Sequence, residues 1–467
     1  MTRLSLLIAL LMTAFATYCN AADKDRKVKY PGGRCYMYRL YLADKQGTTC
    51  TFDHPEAYLS QRAIDRRRHQ GLALDSTDLP VSPVYLSEIA AAGGRVVCVS
   101  KWNNTVLVRG KDSLKMEKLA LLPFVKSMKR VFVSPDSIAP AMKREKINNR
   151  VSLWDTVATT NYGRAYEQVR MLNGQRLHNA GFNGDGLLIA VMDGGFMNAD
   201  RITAFYGLDM RQSRDFVVPH ARNIFTEMSH GTMVLSVMAA NMPGVYVGTA
   251  PGADYLLLRC EDYRTETPAE EDFWTAAAEY ADSAGTDIIN SSLGFHNFDD
   301  SADNYPYSAL DGHAAMISNT ASMLADKGIV LVCSAGNDGM ETWKKIDFPG
   351  DADNILTVGA VSSNRINAAF SAVGPTADGR VKPDVMAMGN PTAVVTGRGT
   401  VGQDVGTSFS TPLIAGLVAC LWQALPTKTA KEIIEIVRQS GDRSAMPDNI
   451  YGYGIPDFWQ AYISNMQ

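Results

Sequence analysis

Hydrophobic and polar positions follow different patterns in the two parts of this chain. From residue 35 to residue 133, runs in which apolar and polar residues partly alternate are interleaved with runs of helical period. Alternation is typical of strands with one buried face, so this part predicts a small α+β unit. The predicted strands are 35–43, 95–100, 105–109 and 131–133, and the predicted helices are 53–71, 84–92 and 113–121.

Beyond residue 160, short apolar runs without alternation are separated by helical stretches. Such runs suit strands that are buried on both faces, which predicts an α/β fold with a parallel sheet sandwiched by helices. Groups that do chemistry should then gather beyond the carboxyl ends of the strands. The predicted strands are 187–192, 255–259, 288–290, 329–333 and 355–361.

The formal net charge of −4 hides a division between the two parts. Residues 23–150 contain 24 Lys and Arg against 13 Asp and Glu, a net charge of +11, whereas residues 151–467 carry a net charge of −16. A nucleic-acid-binding arm would explain a basic front part, but its basic residues are spread among the strand and helix patterns and form no tail. We therefore expect no nucleic-acid partner, and instead two modules that attract each other. The run Arg66-Arg67-Arg68 could bind an acidic partner, but a solvated helix face is the default interpretation.

The first 21 residues have the pattern of a signal peptide. A basic start at Arg3 is followed by an apolar run too short for a spanning helix, and small residues precede a cleavage position after Ala21. Attachment of a lipid at Cys19 is the alternative, but Tyr18 stands where such a site has Gly or Ala. No later stretch approaches the roughly 20 apolar residues of a transmembrane helix. We therefore expect export to the periplasm, the outer surface or the medium.

The cysteines favour buried thiols over a metal site. Cys260, Cys333 and Cys420 lie in or beside apolar runs, as unpaired buried cysteines do. A Cys35–Cys50 disulfide is left open for an oxidising compartment. No CxxC or His-rich spacing is present, so we expect no structural zinc.

Three short strings carry an Asp, a His and a Ser, in that order along the chain. Asp193 follows an apolar run and precedes two glycines, His230 stands in Ser-His-Gly-Thr, and Ser408 stands in Gly-Thr-Ser-Phe-Ser-Thr-Pro before a long apolar run. Alone, each has an ordinary explanation as a turn residue, a structural histidine or a helix cap. Together they are the three groups that a nucleophilic serine requires.

On these strings the chain resembles the subtilisin-like serine peptidases (subtilases) over about residues 160–467. The order Asp, His, Ser is the subtilisin order of this triad. Further strings resemble the family's segments in the same order: Gly248-Thr249-Ala250-Pro251, Ile289-Asn290-Ser291-Ser292-Leu293-Gly294, Ser334-Ala335-Gly336-Asn337-Asp338-Gly339, Phe370-Ser371-Ala372-Val373-Gly374-Pro375 and Lys382-Pro383-Asp384-Val385.

The resemblance implies a secreted serine endopeptidase that is made as a zymogen and acts on proteins or peptides without a required cofactor. It assigns Ser408 as the nucleophile, His230 as the general base and Asp193 as the group that orients the histidine. It assigns Asn337 to the oxyanion hole, together with the backbone N–H of Ser408. It also implies that Ser292, Leu293 and Gly294 pair with the substrate backbone.

The resemblance and the pattern together divide the chain into four segments. We expect a signal peptide at 1–21, a ferredoxin-like propeptide domain at 22–135, a linker at 136–160 and the peptidase domain at 161–467. The propeptide should act as an intramolecular inhibitor, with its last strand and tail, from Val131 onward, approaching Ser292, Leu293 and Gly294. The alternative is an accessory domain that stays attached.

Other features leave alternatives to this assignment. Gly194, Met233 and Phe295 depart from residues common in the family, although none belongs to the triad. A catalytically inactive member that acts as a binding protein is the competing function. Structural calcium at acidic strings such as Asp299-Asp300 and Asp351-Ala352-Asp353 is also left open, although solvated surface explains them more simply.

Overall fold

The computed structural model describes residues 27–31, 33–148, 160–218, 221 and 223–466. All structural statements refer to these residues. The predicted signal peptide, with Cys19, and residues 149–159 of the predicted linker lie outside them.

The front module, residues 27–138, is an antiparallel sheet with helices on one face. Its elements are β1 (Val28–Lys29), β2 (Tyr36–Leu42), α1 (Gln61–His69), α2 (Pro83–Ala91), β3 (Arg95–Ser100), β4 (Thr105–Gly110), α3 (Ser113–Glu117), β5 (Val125–Val133) and β6 (Ser137–Ile138). Four strands form the sheet in the order β3-β4-β2-β5, and β1 pairs with β6. This order and the antiparallel pairing are those of a ferredoxin-like fold, which confirms the predicted class.

The long first helix predicted at 53–71 is wrong in its first half. Pro55–Ala57 form a single 3₁₀ turn, and α1 begins at Gln61. Ser60 is extended, and its side chain accepts a hydrogen bond from the backbone of Ala63 at 3.2 Å, as a helix N-cap does. The backbone N–H of Ser60 donates to the carbonyl of Ser283 in the second module, so a contact distant in sequence sets the helix start.

The rear module, residues 160–466, is a parallel sheet between two layers of helices. Its strands are β7 (Leu188–Asp193), β8 (Arg214–Asp215), β9 (Asn241–Met242), β10 (Tyr246–Val247), β11 (Asp254–Arg259), β12 (Ile288–Ser291), β13 (Val330–Ser334), β14 (Leu356–Ser362), β15 (Val385–Asn390), β16 (Thr392–Val395) and β17 (Val401–Asp404). Its helices are α4 (Tyr166–Met171), α5 (Gly174–Asn179), α6 (His230–Ala239), α7 (Ala269–Ala284), α8 (Met316–Met323), α9 (Thr407–Ala424), α10 (Ala430–Gln439) and α11 (Phe458–Ile463). Seven strands form one sheet in the order β15-β14-β13-β12-β7-β11-β8, all parallel, which confirms the α/β prediction.

Burial on both faces explains the continuous apolar runs. On β7, Ile189 and Val191 belong to the core that contains α6 and α9. Ala190 and Met192 belong to the core on the opposite face, which contains α7 and α8. The strand therefore has no solvated face, so the residues from Ile189 to Met192 are all apolar and do not alternate with polar ones.

The front module packs its sheet against α7 of the rear module. Trp102 and Phe132 from the front sheet share one hydrophobic core with Phe273 and Trp274 of α7. The other face of the front sheet packs on α2 and α3. The front sheet therefore lies between its own helices and the rear module.

Buried ion pairs cross this same contact. Arg39 donates to both oxygens of Asp272 through Nε at 3.0 and 2.9 Å, and through Nη2 to Glu271 at 3.1 Å. Asp282 has no exposed side-chain surface and lies 2.6 Å from Arg66 and 2.9 Å from Arg67.

The prediction of a solvated Arg66-Arg67-Arg68 face is therefore wrong for its first two residues. Arg66 and Arg67 are buried against Asp282, and Arg68 alone of the three is exposed. The opposite charges of the two modules meet here as specific pairs.

Two further sequence predictions concern thiols and membrane spans. The six cysteines of the described residues are free, so Cys35 and Cys50 form no disulfide. Cys260, Cys333 and Cys420 are buried, as expected. Within the described ranges, none of the helices combines the length and the apolar character that crossing a bilayer requires.

Candidate active site

Asp193 and His230 form a buried pair at the carboxyl edge of the sheet. Asp193 is the last residue of β7 and is fully buried. His230 is the first residue of α6, and its Nδ1 lies 3.0 and 2.9 Å from the two carboxylate oxygens of Asp193. Asp193 Oδ1 also accepts from the backbone of Gly194 at 2.8 Å. The carboxylate thereby fixes the ring orientation and leaves Nε2 as the nitrogen that can exchange a proton.

A second carboxylate lies beside this pair. Burial lowers the pKa of His230, but Asp193, with smaller contributions from Glu261 and Asp404, raises it to about 9. Burial, and then repulsion by Asp193, raise the pKa of Glu261 to about 7. A side-chain carbon at residue 194 would collide with Oε2 of Glu261, so Gly194 makes room for this carboxylate.

Ser408 lies in the first turn of α9, whose N-terminus faces the site. Its Oγ donates to the carbonyl of Ser292 at 3.3 Å, which is its hydrogen-bond partner among the described residues. Ser292 Oγ in turn donates to the carbonyl of Ser408 at 2.9 Å. The ring of Phe409 lies 5.6 Å from that of His230, centroid to centroid. The structure thus joins Asp193 to His230 directly, and joins Ser408 to the Ser292 segment.

Asn337 approaches the same helix N-terminus from the end of β13. Its Oδ1 accepts from the backbone N–H of Thr407 at 2.9 Å and from Thr407 Oγ1 at 3.1 Å. This fixes the orientation of the amide and leaves Nδ2 without a partner among the described residues. Free backbone N–H groups and the helix dipole add positive potential at this position.

Residues 292–294 continue from β12 and lie beside Ser408. Leu293 is buried, and its carbonyl accepts from Ser334 Oγ at 3.4 Å. Within the described residues, the tail of the front module, residues 139–148, does not pair with this segment. Instead, Met142 N donates to Tyr263 Oη at 3.1 Å, and Asn198 Nδ2 donates to the carbonyl of Glu145 at 3.0 Å. The expected approach of the segment from Val131 onward is therefore not made through hydrogen bonds of residues 139–148 to Ser292, Leu293 and Gly294. For residues 149–159, which lie outside the described ranges, it stays a prediction.

One side-chain cluster of the described residues has metal-ligand character. His296, Asp338 and Asp347 bring three potential ligand atoms within 4.8 Å of one another.

The acidic strings considered for calcium accept hydrogen bonds from the protein itself. Asp351 accepts from Gly312 N at 2.7 Å and from Ser318 Oγ at 2.6 Å. Asp299 and Asp300 accept from the backbone of Glu266 and Ala302.

Glu261 and Asp347 belong to the site region but were not predicted from the sequence. A signal for Glu261 was present, because β11 lies beside β7 and Arg259 pairs in register with Asp193. A residue just past β11 must therefore lie near Asp193. For Asp347 no such signal exists, because it lies in a loop whose course the apolar pattern does not define.

The geometry agrees with comparisons to known proteins. The model of the subtilase family matches residues 184–454, and the model of the Bacteroidota peptidase S8 propeptide domain matches residues 37–149. Subtilisin NAT of Bacillus subtilis subsp. natto is 29% identical over 269 residues, 57% of this chain and 63% of the relative. Serine protease AprX of Bacillus subtilis (strain 168) is 27% identical over 362 residues, 67% of this chain and 72% of the relative.

A solved structure shares the fold. The crystal structure of MycP1 with the N-terminal propeptide removed superposes with a TM-score of 0.50 at 21% identity, covering 63% of this chain and 96% of that one. The chain spans less than two thirds of the length of subtilisin NAT. Because the family model covers more than half of it, the chain belongs to the subtilase family.

Proposed function

We propose that this protein is a secreted serine endopeptidase that is made as a zymogen and hydrolyses peptide bonds through Asp193, His230 and Ser408. The observation that carries the proposal is the buried Asp193–His230 pair, joined at 2.9 Å, beside the helix N-terminus that holds Ser408. The peptidase domain is taken as 161–467, the propeptide as 22–135 and the linker as 136–160. Export after removal of residues 1–21 is part of the same proposal.

In the proposed reaction, Ser408 Oγ leaves the carbonyl of Ser292 and attacks the substrate carbonyl. His230 Nε2 takes the proton of the hydroxyl and gives it to the leaving amine as the peptide C–N bond breaks, which leaves an ester on Ser408. It then takes a proton from the water molecule that attacks this ester and returns the proton to Ser408 Oγ as the acid product leaves. Asp193 holds the ring in the tautomer that has its proton on Nδ1 and stabilises the imidazolium ion. Because Asp193 is fully buried, this charge interaction is little screened by solvent.

Asn337 and the backbone N–H of Ser408 would stabilise the oxyanion of the tetrahedral intermediate. The amide of Asn337 is preorganised for this role, because its oxygen is already bound to Thr407. In subtilisin, loss of one such donor costs about 100- to 1000-fold in turnover. Ser292, Leu293 and Gly294 would pair with the backbone of a protein or peptide substrate as an added strand. No step in this scheme requires a metal or cofactor.

The front module is proposed to be the enzyme's own inhibitor. It binds α7 through buried ion pairs and a shared apolar core, and it is followed by a tail that runs along the rear module. Cleavage after this tail, within the segment that joins the modules, would release it.

A fluorophosphonate probe tests the proposal. The matured wild-type protein should be labelled at Ser408, and Ser408→Ala should lose both labelling and peptide hydrolysis and accumulate as unprocessed precursor. Ser410→Ala is a matched control on the same helix, since Ser410 Oγ is bound to the carbonyl of Thr407. A wild-type protein that folds but is neither labelled nor active would instead be a binding protein of this fold.

A further inference from the structure

A buried carboxylate lies between the two segments that border the proposed active site. The backbone of Phe295 exchanges two hydrogen bonds with Phe348, at 2.9 and 3.1 Å, and the N–H of Asp347 donates to the carbonyl of Ala335 at 3.0 Å. Asp347 is therefore attached to the 292–296 segment on one side and to the 334–337 segment on the other.

Two glycines leave the space that Asp347 fills. A side-chain carbon at Gly294 would lie 2.7 Å from Cβ of Asp347, and one at Gly336 would collide with Oδ2 of the same carboxylate. Gly336 also has φ +106°, a conformation that other residues rarely adopt. The Asp347 carboxylate thus occupies the space between Gly294 and Gly336.

A substrate side chain that enters between the two segments would meet the Asp347 carboxylate. The proposed function has the substrate backbone paired with residues 292–294 and its scissile carbonyl oxygen at Asn337. In that arrangement, the residue that supplies this carbonyl would direct its side chain between the two segments, toward Asp347. The depth of this pocket and the charge at its end set which side chain fits.

The end of the pocket is negatively charged. His296 Nδ1 lies 2.8 Å from Asp347 Oδ1 and 3.5 Å from Asp338 Oδ2, and its ring stacks on Trp343 at 4.8 Å. One histidine can neutralise only one of these two carboxylates. Lys345, two residues from Asp347, directs its ammonium elsewhere, to the carbonyl of Gly374 at 2.7 Å.

Further acidic groups surround the cluster. Burial, and then the carboxylates of Glu261, Asp299 and Asp347, raise the pKa of Glu266 to about 8. Burial also raises the pKa of Asp347 to about 6 against the opposing effect of His296. Burial is the largest cause of both shifts, and neighbouring carboxylates add to it.

We propose that Asp347 is a specificity-determining residue, which forms the acidic end of the pocket for the residue before the scissile bond and selects Lys or Arg there. This inference rests on the proposed peptidase function. A cationic side chain would supply the positive charge that His296 alone does not, and would satisfy the Asp347 carboxylate in a site of restricted solvent access. Asp338, at 30% exposure, would form the rim of the same pocket.

The experiment compares matured wild-type protein with Asp347→Asn on peptidyl coumarin amides that end in Arg, Lys, Leu or Phe. Active sites are counted first with the fluorophosphonate probe. Wild type should prefer Arg and Lys by at least about 10-fold, and Asp347→Asn should lose on the order of 100-fold in kcat/KM on Arg without a loss on Leu. Benzamidine should inhibit wild type competitively and the variant weakly.

Two further variants keep the test decisive. Glu341→Gln removes an exposed carboxylate of the same loop and should leave the preference unchanged. Asp338→Asn should weaken it by a smaller factor, and this variant and the wild-type profile remain informative if Asp347→Asn does not fold.

The outcomes separate this inference from the proposed function. A labelled, active wild type that prefers Leu or Phe, or an Asp347→Asn variant that keeps the preference for Arg, overturns the inference alone. Zn²⁺ binding that Asp347→Asn abolishes, without a preference for basic residues, would assign the cluster to a metal and overturn it also. Absence of labelling overturns the peptidase proposal and the inference with it.

Discussion

Replacement of Asp282 by asparagine should weaken the binding of the front module to the rear module. This one carboxylate of the rear module forms ion pairs with three cations of the front module. Arg66 lies 2.6 Å from Asp282, Arg67 lies 2.9 Å from it and Lys101 lies 3.2 Å from it. Asp282 is fully buried, and the three cations are at most 10% exposed. Asparagine keeps the shape of the side chain but leaves Arg66 and Lys101 buried without this counter-charge, whereas Arg67 keeps its pair with Asp78 at 2.9 Å.

The magnitude follows from this burial. Removal of one partner of a buried ion pair costs about 3–5 kcal/mol, because the remaining charge stays desolvated. At about 1.4 kcal/mol for each factor of ten, the affinity of the two modules should fall by roughly 150- to 4000-fold.

The assay is inhibition in trans. A front module of residues 23–148 is titrated against matured wild type and against matured Asp282→Asn, with peptide hydrolysis as the readout. The matched control is Asp303→Asn, which removes a partly exposed pair with Lys129 across the same contact, at 3.2 Å. Exposed pairs contribute about 0–1 kcal/mol, so the control should shift the inhibition constant by less than roughly fivefold.

Equal effects of Asp282→Asn and Asp303→Asn would refute this reasoning and would attribute the binding to the apolar contacts around Trp102.

The pH dependence gives a second check. Burial raises the pKa of Asp282, but Lys101, Arg67 and Arg66 outweigh it and lower the pKa below its usual range. A lowered folded-state pKa means that this contribution is present above the ordinary pKa and is lost only as pH falls through the depressed value. Inhibition through Asp282 should therefore persist in mildly acidic buffer.

Three further predictions concern the active site and the encounter of the modules. Asn337→Ala should fold and still process slowly, with kcat reduced about 100- to 1000-fold and KM little changed; steady-state kinetics with unchanged turnover would show that the oxyanion donor lies elsewhere. Glu261→Gln should lower the pKa of His230, since Glu261 is one of the carboxylates that raise it to about 9. Because the base must be unprotonated, the rising limb of kcat/KM against pH should move to lower pH, and a limb that does not move would contradict this role. Residues 23–150, which carry a net charge of +11, should associate with residues 151–467, which carry −16, more slowly as salt increases, because charges are screened over about 8 Å at physiological ionic strength; stopped-flow rates independent of salt would argue against steering.

The sheets and the positions of Asp193 and Ser408 could be predicted from the sequence because their signals are local. The apolar run that ends at Asp193 is continuous because both faces of β7 are buried, and this requirement appears directly in the residues. The same holds for Ser408, which lies in the first turn of α9 at the start of a long apolar run. Strand β15 escaped prediction, because its run at Val385–Asn390 is interrupted by a glycine and follows a proline.

The contacts that decide pairing and specificity could not be predicted in this way. Arg66 and Arg68 are two residues apart with the same chemistry, yet one is buried and the other is exposed. The difference arises from Asp282, more than 200 residues away, and no local pattern contains it. Asp347 is similar, because its proposed role depends on its place between Gly294 and Gly336, which lie in separate segments of the chain. Charges have no periodicity that distinguishes a solvated side chain from a paired one.

The ion pairs between the modules also govern which front module a given rear module can accept. A related module of the same fold that lacked cations at positions 39, 66, 67 and 101 would leave Asp272 and Asp282 buried and unpaired. The free-energy cost of these unpaired buried carboxylates with a mismatched front module is larger than the free energy that the ion pairs contribute with the matching one. In a mixture of homologous precursors, each rear module would thus reject foreign front modules, and substitutions on one side could persist only with matching substitutions on the other.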